Sequence, residues 1–212
     1  MKSAIVMVIL VLFALNSHAK GISSQKLSPH LNKIYKRVIK KTNINRWALK
    51  KALRYYQKNH KRKGLSSRYL AVADYTKTAR QKRLFIINLK NGKVYRHKVA
   101  HGKRSGKIGG KVLRSSNKRN SNMTPYGFFK VGSKVGKTRK KRYRYLSVKG
   151  LQWSNKKVGK PSRFGGRDVI IHPAKYVNRG GRSHGCFAIC PKDQWKIFAK
   201  LKKALLYSYT GR

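Results

Sequence analysis

The stretch "GGRSHGCFAIC", residues 180–190, holds the residues best suited to chemistry. Cys186 follows His184 and Gly185, Arg179 and Arg182 add positive charge, and Cys190 lies four positions on. A thiol attacks as the thiolate; nearby cations lower its pKa, and an imidazole can take its proton. Gly185 permits a backbone conformation closed to residues with a Cβ, and it lets N–H groups near Cys186 face a developing oxyanion. The base on offer is His172, at the end of the apolar run "VIIH", fourteen residues before Cys186. The proline after it, Pro173, tends to stop a strand there and so to hold the imidazole rigidly. His184 is two residues from Cys186 and in an extended segment faces the same side.

Other chemistry competes for the same residues. If "CFAIC" is extended, the two cysteine Cα atoms are ~13 Å apart, whereas a disulfide needs less than about 7 Å. Phe187 and Ile189 favour that extended form. His172, His184, Cys186 and Cys190 are four nitrogen and sulfur ligands with zinc-like spacing. A buried inert cysteine beside a satisfied core histidine is the bland alternative. From the residues alone, nucleophile, zinc ligand and core cysteine all stay open.

The flanking sequence suggests what positions this segment. "YLAVADY" and "RLFIINL" are strand-forming runs, and Asn91-Gly92 predicts a hairpin pairing Arg83–Leu89 with Val94–Ala100. Residues 126–132, 144–150 and 167–173 add three candidate strands. Between Gly102 and Thr124 the chain is basic and aperiodic, and a loop of that length is usually functional or disordered. Upstream, Ser28-Pro29 reads as the cap and first position of a helix. A second helix is expected from near Asn43, with Ile44, Trp47, Ala48, Ala52 and Tyr55 on one face packing on the main domain. "NHKRKGLSSR" from Asn59 reads as a boundary loop, and "DQWKIFAKLKKALLYSY" as a closing amphipathic helix with Asp193 at its start. Strands in the middle and helices at both ends predict a β-rich α+β fold with largely antiparallel pairing.

Composition restricts the setting. The 212 residues carry 55 Lys and Arg against three acids, a net charge of +52. Such a chain repels itself and calls for salt or an anionic partner. "MKSAIVMVILVLFALNSHA", residues 1–19, has Lys2, an apolar run too short for a comfortable membrane span, and small residues before a cut after Ala19. Export through that signal makes chromosomal nucleic acid a poor target and envelope polymers a good one. The expected division is 1–19 signal peptide, 20–64 linker and helical segment, and 65–212 catalytic domain. No phosphate-binding or dinucleotide fingerprint is present.

"IIHPAKYVNRGGRSHGC" resembles the His-plus-SHGC signature of the L,D-transpeptidases, the YkuD-type cell-wall enzymes. The murein L,D-transpeptidase subgroup is resembled further in residues 70–106, "RSSN" (114–117), "TPYGFF" (124–129), "GLQWSN" (150–155) and "GRSHGCFAI". The resemblance implies an L,D-transpeptidase catalytic fold, with mixed or antiparallel sandwich-like sheets flanked by N- and C-terminal helices. It implies Cys186 as nucleophile and His172 as base and then acid, attacking the third residue of a peptidoglycan stem tetrapeptide and expelling D-Ala. Backbone N–H groups around Gly185 and Cys186 would bind the oxyanion, His184 and Ser183 would shape the site, and Arg182, Tyr126 and Gly127 would bind substrate. It implies no metal and no cofactor. The expected partners are stem peptides and anionic envelope polymers, with no specific nucleic acid, no membrane span after signal cleavage, and a monomeric chain. An amine acceptor gives a 3→3 cross-link; water gives a carboxypeptidase, a D-amino acid gives exchange, and a decayed site gives a cationic binder. Ala188 stands where many relatives have Arg or Asn, and His184 where the subgroup often has Trp. With Pro173 next to His172, a backbone carbonyl or a remote residue must orient the base.

Overall fold

A computed structural model describes residues 26–138 and 143–211. The expected signal peptide lies outside the described residues. Helix α1 (Pro29–Lys41) starts as its residues dictate, with Ser28 Oγ accepting from the Leu31 N–H. Helix α2 (Arg46–Lys63) is capped by Asn45 Oδ1, which accepts from the Ala48 N–H at 2.9 Å. It runs through the expected loop at Asn59 and stops only at Gly64, whose left-handed φ of 56° ends the helix.

Eight strands form one mixed sheet in the order β3-β2-β1-β10-β5-β6-β7-β9. They are β1 (Tyr69–Asp74), β2 (Leu84–Asn88), β3 (Val94–His97), β5 (Gly127–Lys137), β6 (Arg144–Gly150), β7 (Ile170–Pro173), β9 (Phe187–Ile189) and β10 (Leu205–Tyr209). The hairpin expected at Asn91-Gly92 is present as β2 antiparallel to β3. Two pairs are parallel, β1–β10 and β7–β9. A separate ribbon pairs β4 (His101–Gly102) with β8 (Arg182–Ser183).

Both faces of the sheet are covered. Leu70, Val72, Phe85, Ile87, Phe128, Leu205 and Tyr207 pack with Leu49, Ala52, Leu53 and Tyr56 of α2. Ala71, Ala73, Leu84, Ile86, Phe129 and Leu206 face the other side, against Ile197, Phe198 and Leu201 of helix α3 (Gln194–Leu201). The face of α2 thus packs on the domain as expected, except that Trp47 stays half exposed beside Tyr209.

The closing helix is shorter than the sequence suggests. It ends at Leu201, and "LLYSY" returns as β10 in the interior of the sheet. A strand buried on both faces shows an apolar run without alternation, which periodicity cannot tell from a buried helix.

Candidate active site

Cys186 sits in the turn between β8 and β9 and keeps partial exposure. Ser183 organises that turn: its hydroxyl accepts from the Gly185 N–H at 3.0 Å and donates to the Cys186 carbonyl at 2.7 Å. The Gly185 N–H is therefore engaged, contrary to the expectation that it faces an oxyanion. Gly185 has φ +112°, and a Cβ there would meet the Met123 carbonyl oxygen at 2.7 Å and overlap the Arg167 guanidinium.

His172 lies on β7 in parallel register with Ala188 of β9. Ile171, Phe187 and Ile189 point into the main core, so the pleat turns His172, Ala188 and the preceding Cys186 to the opposite face. Cys190 continues that face, buried in a small apolar cluster with Ala100, Val177 and Ala188. Both cysteines are free. The bond that orients the base is local: His172 Nδ1 lies 3.0 Å from the Pro173 carbonyl oxygen. A carbonyl only accepts, so Nδ1 carries a proton. The ring is also stacked on Tyr143, centroids 4.8 Å apart and planes 21° from parallel.

The thiol is pushed above its ordinary pKa, chiefly by burial. A backbone hydrogen bond at Ile170 and the charge of Arg167 pull it down, while Asp168 opposes them. Burial thus favours the neutral thiol of Cys186 over its thiolate. Tyr143 and Tyr176 are both pushed up, first by burial and then by the negative charge Cys186 would carry. The same tyrosine that stacks on His172 therefore lies within electrostatic reach of Cys186.

Arg167 was not singled out by sequence. It is buried, and it donates to the carbonyls of Ser116 and Met123, pinning the long basic loop against Gly185. The available signal was an arginine opening the apolar run that ends at His172.

The remaining predicted residues divide. His184 lies in the bend before Cys186 and is exposed, with Nδ1 3.0 Å from Asn122 Oδ1. Arg182 spends its guanidinium on the carbonyls of Lys103 and Gly106. Tyr126 is on the wall of a groove of about 830 Å³ that also involves Ser116, Asn117, Trp153, Lys156 and Arg167. Gly127, φ +101°, is a structural glycine whose missing Cβ makes room for Gln152 and Asn155. Among the described residues no three His, Cys, Asp or Glu side chains converge as metal ligands, so the four-ligand zinc geometry does not form.

The model of the L,D-transpeptidase catalytic domain matches residues 40–209. The chain belongs to the L,D-transpeptidase catalytic domain family. No curated protein matches it. Solved structures similar to it include an L,D-transpeptidase from Mycobacterium smegmatis, at 17% identity over 67% of this chain and 58% of that one, TM-score 0.38. Another L,D-transpeptidase, from Stackebrandtia nassauensis, is 12% identical over 89% of this chain and 94% of its own, TM-score 0.41. The helical cell shape determining protein Pgp2 from Campylobacter jejuni is 18% identical over 69% of this chain, TM-score 0.41. This chain spans about half, 49%, of that protein's length.

Proposed function

We propose that this family member is an exported peptidoglycan L,D-transpeptidase in which Cys186 is the nucleophile and His172 the base. The observation that carries the reading is the His172 ring on β7, the strand paired with the one that follows Cys186, with Nδ1 tied to the Pro173 carbonyl. His172 takes the thiol proton as sulfur attacks the carbonyl of the third stem residue. The tetrahedral oxyanion is held by the Cys186 N–H, since the Gly185 N–H is committed to Ser183. The C–N bond to D-Ala breaks as the imidazolium returns its proton to the leaving amine. The thioester then accepts an amine from a second stem; His172 takes that amine's proton, the thiolate leaves, and a 3→3 peptide bond forms.

The groove by Tyr126 and Trp153, with Lys118, Arg119, Lys156 and Lys157 along it, suits a donor stem with free carboxylates. Residues 1–19 serve as a cleaved export signal, and residues 65–212 supply the catalytic unit with the 20–64 segment packed on it. The chain acts as a monomer, held by its charge to anionic envelope polymers. Incubating the mature chain with disaccharide-tetrapeptides should yield cross-linked dimers lighter than two monomers by one D-Ala, read by mass spectrometry. D-Ala release with no dimer would assign hydrolysis instead. No dimer, no D-Ala release and no D-amino-acid exchange, with a titratable free thiol, would reject the reading.

A further inference from the structure

Across Trp153 from the groove by Tyr126 and Arg167 lies a second cleft, of about 680 Å³. Its cations come from separate parts of the chain: Arg62 and Lys63 end α2, Lys130 is on β5, Lys149 on β6, Lys156 follows Trp153, and Lys203 precedes β10. No described acidic side chain lines it.

The cations converge against their own repulsion. Lys130 and Lys149 are directly opposite across β5 and β6, where like charges destabilise a sheet. Lys203 holds φ +60°, a conformation that strains a residue with a Cβ. Lys130 Nζ is drawn to the Lys63 carbonyl at 2.8 Å, at the negative end of α2. That leaves Arg62, Lys149, Lys156 and Lys203 around the opening. Trp153 stands on the rim, 83% exposed, with Lys156 Nζ 2.9 Å from its ring centroid.

We propose that this cleft binds a polyanionic polysaccharide, its carboxylates or phosphates neutralising Arg62, Lys149, Lys156 and Lys203 while a sugar ring lies on Trp153. The inference builds on the envelope-polymer reading above and names its site; it does not depend on the chemistry of Cys186. A single-stranded nucleic acid would also offer anions and flat rings. The glycan is favoured because the cleft shares Trp153 and Lys156 with the groove lined by Arg167, the cation that acts on Cys186, in a family of wall enzymes.

The test is the affinity of the purified chain for a fluorescent polygalacturonate oligomer, read by anisotropy. The triple variant Arg62→Gln, Lys149→Ser, Lys203→Asn should bind at least about tenfold more weakly. Asn tolerates the left-handed backbone at position 203. A control variant, Lys33→Ser, Lys36→Ser, Lys40→Ser, removes three exposed charges from α1. It should lose less than about twofold, because those charges lie outside the cleft and are screened. Equal losses in the two variants would overturn the site and leave only diffuse attraction. Trp153→Ala, at the exposed rim, should weaken glycan binding in a chain that melts as the parent does; unchanged affinity would overturn the stacking. Tighter binding of an oligonucleotide of equal charge, with the same residue dependence, would overturn the glycan assignment. Muropeptide turnover is read in parallel: glycan binding through these residues in a chain without turnover upholds the cleft while rejecting the reaction.

Discussion

At the scale of single residues, the site depends on a few local contacts around one turn. Cys186→Ala should lower turnover by more than about a thousandfold while wall binding persists; unchanged turnover would remove Cys186 as nucleophile. Tyr143 acts as a positioning residue through its stack on His172. Tyr143→Leu should slow turnover by about ten- to a hundredfold, and Tyr143→Phe should restore it; equal losses in both would assign the effect to the hydroxyl. Arg167 pulls the Cys186 thiol down. Arg167→Met should raise the thiol pKa further, shrink the thiolate fraction at pH 8 and slow alkylation by iodoacetamide; faster alkylation would contradict the assigned sign. The cysteine and histidine were legible in the sequence because their types and spacing match a chemical need. The orienting group was not, because it is a backbone carbonyl that any residue could supply. Arg167 was missed because its partners, Ser116 and Met123, are more than forty residues away and are also carbonyls.

At the scale of elements, the site hangs on strands that meet only in three dimensions. The chain leaves β3 at His97; Val99 then bridges to Ile189 and the Ala100 N–H donates to Ala188, so "VAHG" runs beneath the cysteine turn. His101 there is fully buried against Arg83, with 2.9 Å from Nδ1 to the guanidinium. Burial first, and then Arg83, depress its pKa to about 4. In the unfolded chain it titrates near its ordinary value, so below that value the unfolded state binds more protons. Stability is therefore present above pH ~6.5 and is lost as pH falls toward about 4, by up to about 3 kcal/mol. Urea unfolding at pH 7, 5 and 4 should show that loss, and His101→Gln should flatten it. An unaltered slope in the variant would place the acid lability elsewhere. The strands β1, β2, β5, β6 and β7 were readable from strand-forming runs and turn signals. The last strand was not: Leu205–Tyr209 is buried on both faces, so the run carries no period, and the helix before it ends at Lys202, whose ψ of 124° leaves the helical region. The extension of α2 past Asn59 rests on Gly64, well beyond Tyr55, the last apolar position that marked the helix.

At the scale of the whole molecule, a charge of +52 works against the fold. Among the described residues the ion pairs are Lys77 with Asp74 and, if the imidazole is protonated, His97 with Asp193. Screening should stabilise such a chain: the thermal midpoint is expected to rise between low and physiological salt, as the Debye length falls from ~30 to ~8 Å. A midpoint that falls would contradict net self-repulsion. No described helix is long and apolar enough to cross a membrane. The central claim, that Cys186 carries the acyl group, is tested most directly by intact-protein mass spectrometry after brief mixing with a stem tetrapeptide. The account predicts a covalent adduct equal to the tetrapeptide less D-Ala, mapped to the peptide bearing Cys186, released by hydroxylamine and absent from Cys186→Ala. An adduct that persists in Cys186→Ala, or none at all on a chain whose thiol titrates as free, would contradict it.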